Sequence, residues 1–265
     1  AYGDRVARTP NLDRLAARGL LFENAYCNQA VCAASRNTLL VGSRCTTLGI
    51  YNLATNFRRA VPEAVTLPQF FMRHGWRAEG MGKIFHVGHG NVGDDASWSV
   101  PFITDNVVDY ALPASTDGGK LTREAALFAN AKPGVPINQL PRGAAWENAD
   151  LPDTAYADSR IADAAIASLR RAKDNPATPL FLAVGFVRPH LPFSVPKKYW
   201  DLYDRAALPL AVRRTPPDGA PSYAGKTLGE LNNYKPFPAE PPLTEELERT
   251  ALHGYYASEI GRAHV

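Results

Sequence analysis

An α/β fold, with a mostly parallel sheet sandwiched by helices, is predicted for this 265-residue chain by three observations. Strand-like and helix-like segments alternate along it. Residues 180–186 (LFLAVGF) form an unbroken apolar run of the kind a buried strand carries. Residues 158–173, just before that run, place apolar side chains at helical spacing. Strand–helix–strand order of this sort favours parallel pairing with both sheet faces covered. A 45% hydrophobic composition is enough for one large core.

Each element has its own justification. Thr9 is a good N-cap, Pro10 suits the first helical position and Gly19 can close the helix, so 9–19 reads as a helix with Leu12, Leu15 and Ala16 as its buried stripe. A short strand is expected near 20–25. A loop then leads to Cys32, which opens a helix running to about Val41 and stopped by Gly42. After an irregular stretch, 66–74 is a helix closed by Gly75, with His74 at the end where positive charge is favourable. Residues 77–81 form a strand that delivers Lys83 and His86 in the loop beyond.

From Pro101 to Pro152 the pattern breaks into Pro, Gly and Asn, with one short helix expected over 122–130. Long excursions of this kind often carry substrate selectivity. The helix at 158–173 groups Ile161, Ala165, Ile166 and Leu169 on one side. Arg188-Pro189-His190 lies just after the apolar strand, and strand-end loops are where sites gather in open α/β sheets. Residues 213–242 read as an exposed Pro- and Gly-rich insertion. A helix restarts over 245–258, with His253 on its surface.

Charge and cysteine usage narrow the function classes. A net charge of +3 without a basic block gives no ground for nucleic-acid or membrane-surface binding. No stretch is long and apolar enough to span a bilayer. Cys27, Cys32 and Cys45 show neither Cys-x-x-Cys nor metal-finger spacing, so no disulfide framework is expected, and Cys27 and Cys45 read as plain thiols.

Cys32 is different. It stands at the start of a helix, where unpaired N–H groups and the helix dipole favour an anion, and Arg36 follows one turn on. A nucleophile beside a guanidinium fork suits attack on a tetrahedral oxyanion such as sulfate or phosphate. Lys83 adds a compact positive charge. His86 and His190 can exchange protons, His190 being held in a loop stiffened by Pro189 and Pro192. His89 reads as a loop histidine, and Asp94 and Asp95 as loop caps or substrate-side residues.

The run CAASR at 32–36 resembles the signature of the sulfatases, Cys-x-Pro/Ala-x-Arg, with Ala34 where most aerobic members have proline. TPNLDRLAARG (9–19), LFENAY (21–26), QAVC (29–32), GKIFH (82–86) and FLAVGFVRPHLPF (181–193) resemble the iduronate-2-sulfatase-like branch, in the right order. The resemblance runs, with interruptions, from residue 1 to about 258. It implies an alkaline-phosphatase-like α/β fold truncated at both ends, with 1–258 as a partial catalytic domain; residues 259–265, which do not share the resemblance, are expected to be a non-native read-through tail.

The implied activity is hydrolysis of a sulfate ester, on a sulfated small molecule or glycan. Cys32 would be oxidised to formylglycine by a formylglycine-generating or equivalent maturation enzyme. The hydrated aldehyde offers one hydroxyl to attack sulfur and a second whose proton loss later expels sulfate. The resemblance gives Arg36 the orientation of that side chain, Lys83 and His190 the substrate, and His86 the aldehyde's proton. It also implies a divalent cation, Ca2+, with Cys32 as one ligand and the remaining ligands outside the chain, so the chain alone is expected to be inactive. Export to the periplasm or outside the cell is expected by analogy. Alternatives are a phosphodiesterase or phosphonate monoester hydrolase on the same scaffold, or a non-catalytic carbohydrate-binding relative.

Overall fold

The computed structural model describes residues 2–88, 91–104, 110–116, 142–213, 215–224, 228–238 and 240–263. The helix expected over 122–130, and His89, lie outside the described residues.

Five helices precede the first strand: α1 (Pro10–Arg18), α2 (Cys32–Val41), α3 (Cys45–Leu48), α4 (Phe57–Ala60) and α5 (Leu67–Arg73). Gly42 ends α2 with φ at 68°, its N–H bonded to the Thr38 carbonyl at 2.9 Å. Thr66 and Gln69 form a reciprocal capping box that starts α5. Then come β1 (Arg77–Gly82), β2 (Trp146–Glu147), α6 (Ala157–Asp174), β3 (Leu180–Gly185), β4 (Phe193–Ser194), α7 (Lys197–Trp200) and α8 (Glu245–Ala263).

β1 pairs in parallel with β3, Arg77 opposite Leu180 through Gly82 opposite Gly185, and β2 pairs in parallel with β4. The period of two sorts the β1–β3 side chains cleanly. On one face Ala78 lies in a buried cluster with Ala34, Leu40, Phe57, Phe85 and Trp98, against which Phe181 and Ala183 pack. On the other, Met81, Leu182 and Val184 pack against Ile161 and Ala165 of α6. Phe71 of α5 stacks on Phe181 with ring centroids 4.7 Å apart. The expected sandwich of parallel strands between helices is therefore observed. A further core joins Val195, Tyr199, Trp200 and Leu208 to Ala257 and Ile260 of α8.

Several local expectations fail. Residues 20–25 form no strand: Leu20 and Phe22 are 77% and 64% exposed, and no described strand lies alongside to complete their ladder. Leu15 is exposed, so α1 buries no stripe. On α6, Ile166 and Leu169 also face solvent; the buried side is Ala157, Asp158, Ile161, Ala162, Ala165 and Ser168. Leu180–Val184 are half-buried rather than buried, because only β1 flanks them among the described residues. His253 is buried, its Nε2 2.8 Å from the Trp200 carbonyl, because α8 turns that side toward α7.

Candidate functional site

The C-terminal ends of β1 and β3 meet backbone to backbone. Gly82 has φ at 73°, and a Cβ there would fall 2.1 Å from the Gly185 carbonyl oxygen. A Cβ on Gly185 would fall 2.0 Å from the Lys83 carbonyl oxygen. Only hydrogen fits at either position. The Lys83 N–H closes the contact on the Gly185 carbonyl at 2.7 Å, so the loops after the two strands leave side by side.

Asp158, in the first turn of α6, fixes the second loop. Its Oδ1 accepts the Val187 N–H and its Oδ2 the Arg188 N–H, each at 2.8 Å. The helix N-terminus favours a carboxylate at that place. Arg188 is buried and donates from Nε to the Ser194 carbonyl at 3.0 Å and from Nη1 to the His190 carbonyl at 3.2 Å. His190 therefore sits on a turn held from both sides. Its Nδ1 is 2.7 Å from the Leu191 carbonyl, which can only accept, so Nδ1 carries the hydrogen and Nε2 is the lone-pair nitrogen of the neutral ring. Nε2 faces Glu230 at 3.7 Å. Burial, then the Lys83 charge, push the His190 pKa below its usual value, against the pull of Glu230.

The nucleophile candidate arrives on α2. Cys32 is its first residue, after Val31 in extended conformation. The amides of Cys32, Ala33 and Ala34 thus stand in the first turn, where a helix supplies no acceptor. Ala34 is fully buried in the main core, and proline or alanine both fit a first-turn position whose N–H needs no helical partner. Arg36 reaches across to the loop after β1, with Nη1 donating to the Lys83 carbonyl at 2.6 Å and the Ile84 carbonyl at 3.0 Å. Burial lowers its pKa, while the nearby Cys32 raises it.

Contacts and charge interactions thus run in series from Cys32 to Arg36, to the Lys83 main chain, and from Lys83 to His190. His86 shares the Lys83 loop and is buried. Cys27 is exposed, and Cys45 is buried with Sγ 3.7 Å from the Asn28 carbonyl. Asp94 is a loop anchor: Arg58 grips it through Nε at 2.9 Å and Nη2 at 2.8 Å, and Ser97 donates to it. Burial works to raise the Asp94 pKa, but these partners hold it below the usual carboxylate value. Sequence reasoning missed Asp158, Arg188, Gly185 and Glu230. An acid in a first helical turn and a glycine inside a strand are general signals for the first and third; Glu230 lies in a Pro- and Gly-rich stretch with no pattern to expose it.

Beside Lys83 opens a cavity of about 820 Å³, walled by Phe85, Trp98 and Phe102 and reaching Asp158 and Val187. Cys32, Arg36 and His190 do not line it; Lys83 is the shared residue.

A family model described as Sulfatase matches residues 1–210. Human iduronate 2-sulfatase is 33% identical over 269 residues, covering 97% of this chain and 46% of that protein. A sulfatase of Formosa agariphila is 31% identical over 222 residues, covering 79% of this chain and 39% of that protein. The chain spans about half the length of the curated relatives it matches. Among solved structures, the phosphonate monoester hydrolase of Agrobacterium radiobacter superposes with a TM-score of 0.64 at 19% identity, covering 99% of this chain and 53% of that one.

Proposed function

Because this chain belongs to the sulfatase family and has its alkaline-phosphatase-like α/β fold, we propose that the full-length protein hydrolyses a sulfate ester, with Cys32 as the precursor of its nucleophile. One observation supports the reading: stretches far apart in sequence are linked in series, Cys32 acting on Arg36 through charge, Arg36 bonding the Lys83 main chain, and the Lys83 charge acting on His190. Converted to formylglycine by a maturation enzyme, position 32 would supply a hydrated aldehyde as nucleophile.

The chain's own residues would do the rest. The first-turn amides of α2 and the Arg36 guanidinium favour an anion next to position 32. Lys83 would offset charge on the sulfate oxygens. His190, neutral at rest with Nε2 as acceptor, gains affinity for a proton when an anion binds beside it, and can then pass that proton to the leaving oxygen. His86 is assigned the proton of the converted side chain.

A calcium ion is implied by the family. Among the described residues no three His, Cys, Asp or Glu side chains form a metal group, and Asp94 is tied up by Arg58 and Ser97. The residues present do not fit a complete calcium cage, and no step is assigned to the ion.

Paired aryl sulfate and aryl phosphonate esters, assayed on the matured full-length protein with Cys32→Ala as control, test the reading. Sulfate turnover that disappears in the variant, with an aldehyde at position 32 by mass spectrometry, is expected. A persistent thiol, or phosphonate turnover exceeding sulfate turnover, would overturn it.

A further inference from the structure

The cavity beside Lys83 has a wall built before any ligand arrives. The Trp98 ring lies so close over Gly80 that a Cβ there would sit 2.6 Å from it. Phe102 packs on Trp98 at 5.3 Å and Phe85 meets it edge-on at 6.2 Å. Phe85 in turn stacks on Phe57 at 5.5 Å. Aromatic faces locked in this way lose little freedom on binding and suit a flat or apolar-faced group.

The charges around that wall point the same way. Lys83 is the single basic residue among the described lining residues, and its charge also acts on His190. Asp94, Asp95 and Asp158 also line the cavity. Asp94 is matched by Arg58 and Asp158 by two backbone N–H groups, whereas Asp95 is exposed. A ligand carrying its own carboxylate would meet Asp95 with no cation besides Lys83 among the described lining residues.

We propose that the cavity seats the organic half of the ester, and that its aromatic wall and Asp95 select an uncharged, apolar-faced group over one bearing a carboxylate. This rests on the sulfuric ester reading above. It sets the chain apart from relatives named for iduronate, a sugar acid.

Equilibrium binding to the full-length protein with Cys32 unconverted tests it, using 2-naphthyl sulfate, a uronic acid 2-sulfate and inorganic sulfate as probes. The naphthyl ester is expected to bind about tenfold more tightly than either of the others. Phe102→Ala should remove that advantage and leave inorganic sulfate unchanged. Asp95→Lys, at an exposed position, should tighten the uronate ester selectively. Uronate binding as tight as naphthyl binding, or a naphthyl ester no tighter than inorganic sulfate, overturns the proposal. Lys83→Ala separates the two ideas: if inorganic sulfate affinity ignores that change, the oxyanion site fails, independently of the naphthyl–uronate comparison.

Discussion

Asp158 shows how much one side chain can position. It holds two consecutive amides of the turn that carries His190, and an amide in its place could accept only through one oxygen while turning N–H donors on the other. Asp158→Asn is expected to destabilise the protein by about 2 kcal/mol in urea unfolding. His190 itself should titrate below the ordinary histidine value in an NMR pH series, since burial and Lys83 both oppose its charge. Glu230→Gln should lower that pKa further and Lys83→Gln should raise it; the opposite ordering would contradict the charge arrangement. Cys32, Arg36, Lys83, His86 and His190 could all be singled out in the sequence because each lies in a short run with recognisable neighbours. Glu230 could not, because its proximity to His190 arises only when the chain returns from a stretch without periodicity.

At the scale of elements, the helices with strong end signals were legible: Gly42 closes α2 as its sequence predicts, and the helix expected from Thr66 opens there, on a Thr66–Gln69 box that the structure adds. The failures involve faces and neighbours. Whether Leu15, Ile166 or Leu169 is covered depends on what packs there, and helical spacing does not contain that information. The β1–β3 crossing is a sharper test of element geometry. Gly185→Ala would press a methyl into the Lys83 carbonyl, and thermal unfolding should shift downward by several degrees or the chain should fail to fold. Between α7 and α8, burial pushes the His253 pKa below its usual 6.5, against the bond to Trp200. The unfolded chain therefore takes up this proton first as pH falls. The stability tied to neutral His253 is complete above about pH 6.5 and is lost progressively below it. Urea midpoints compared at neutral and acidic pH should fall less in His253→Gln than in the parent.

For the molecule as a whole, the fold class followed from the alternation of elements, and both faces of the β1–β3 pair are covered as expected. The apolar run of β3 reads as a strand with neighbours on both sides, a composition richer than its observed burial. The chain corresponds to about half of its relatives, and no metal group forms among its described residues.

The meeting of Gly82 and Gly185 has one more implication, for heredity rather than for chemistry. Two codons a hundred positions apart are bound to the same answer, since enlarging either partner collides with main chain that no compensating side-chain change can trim. A library randomised at both sites and selected for folding should return the parental pair almost alone.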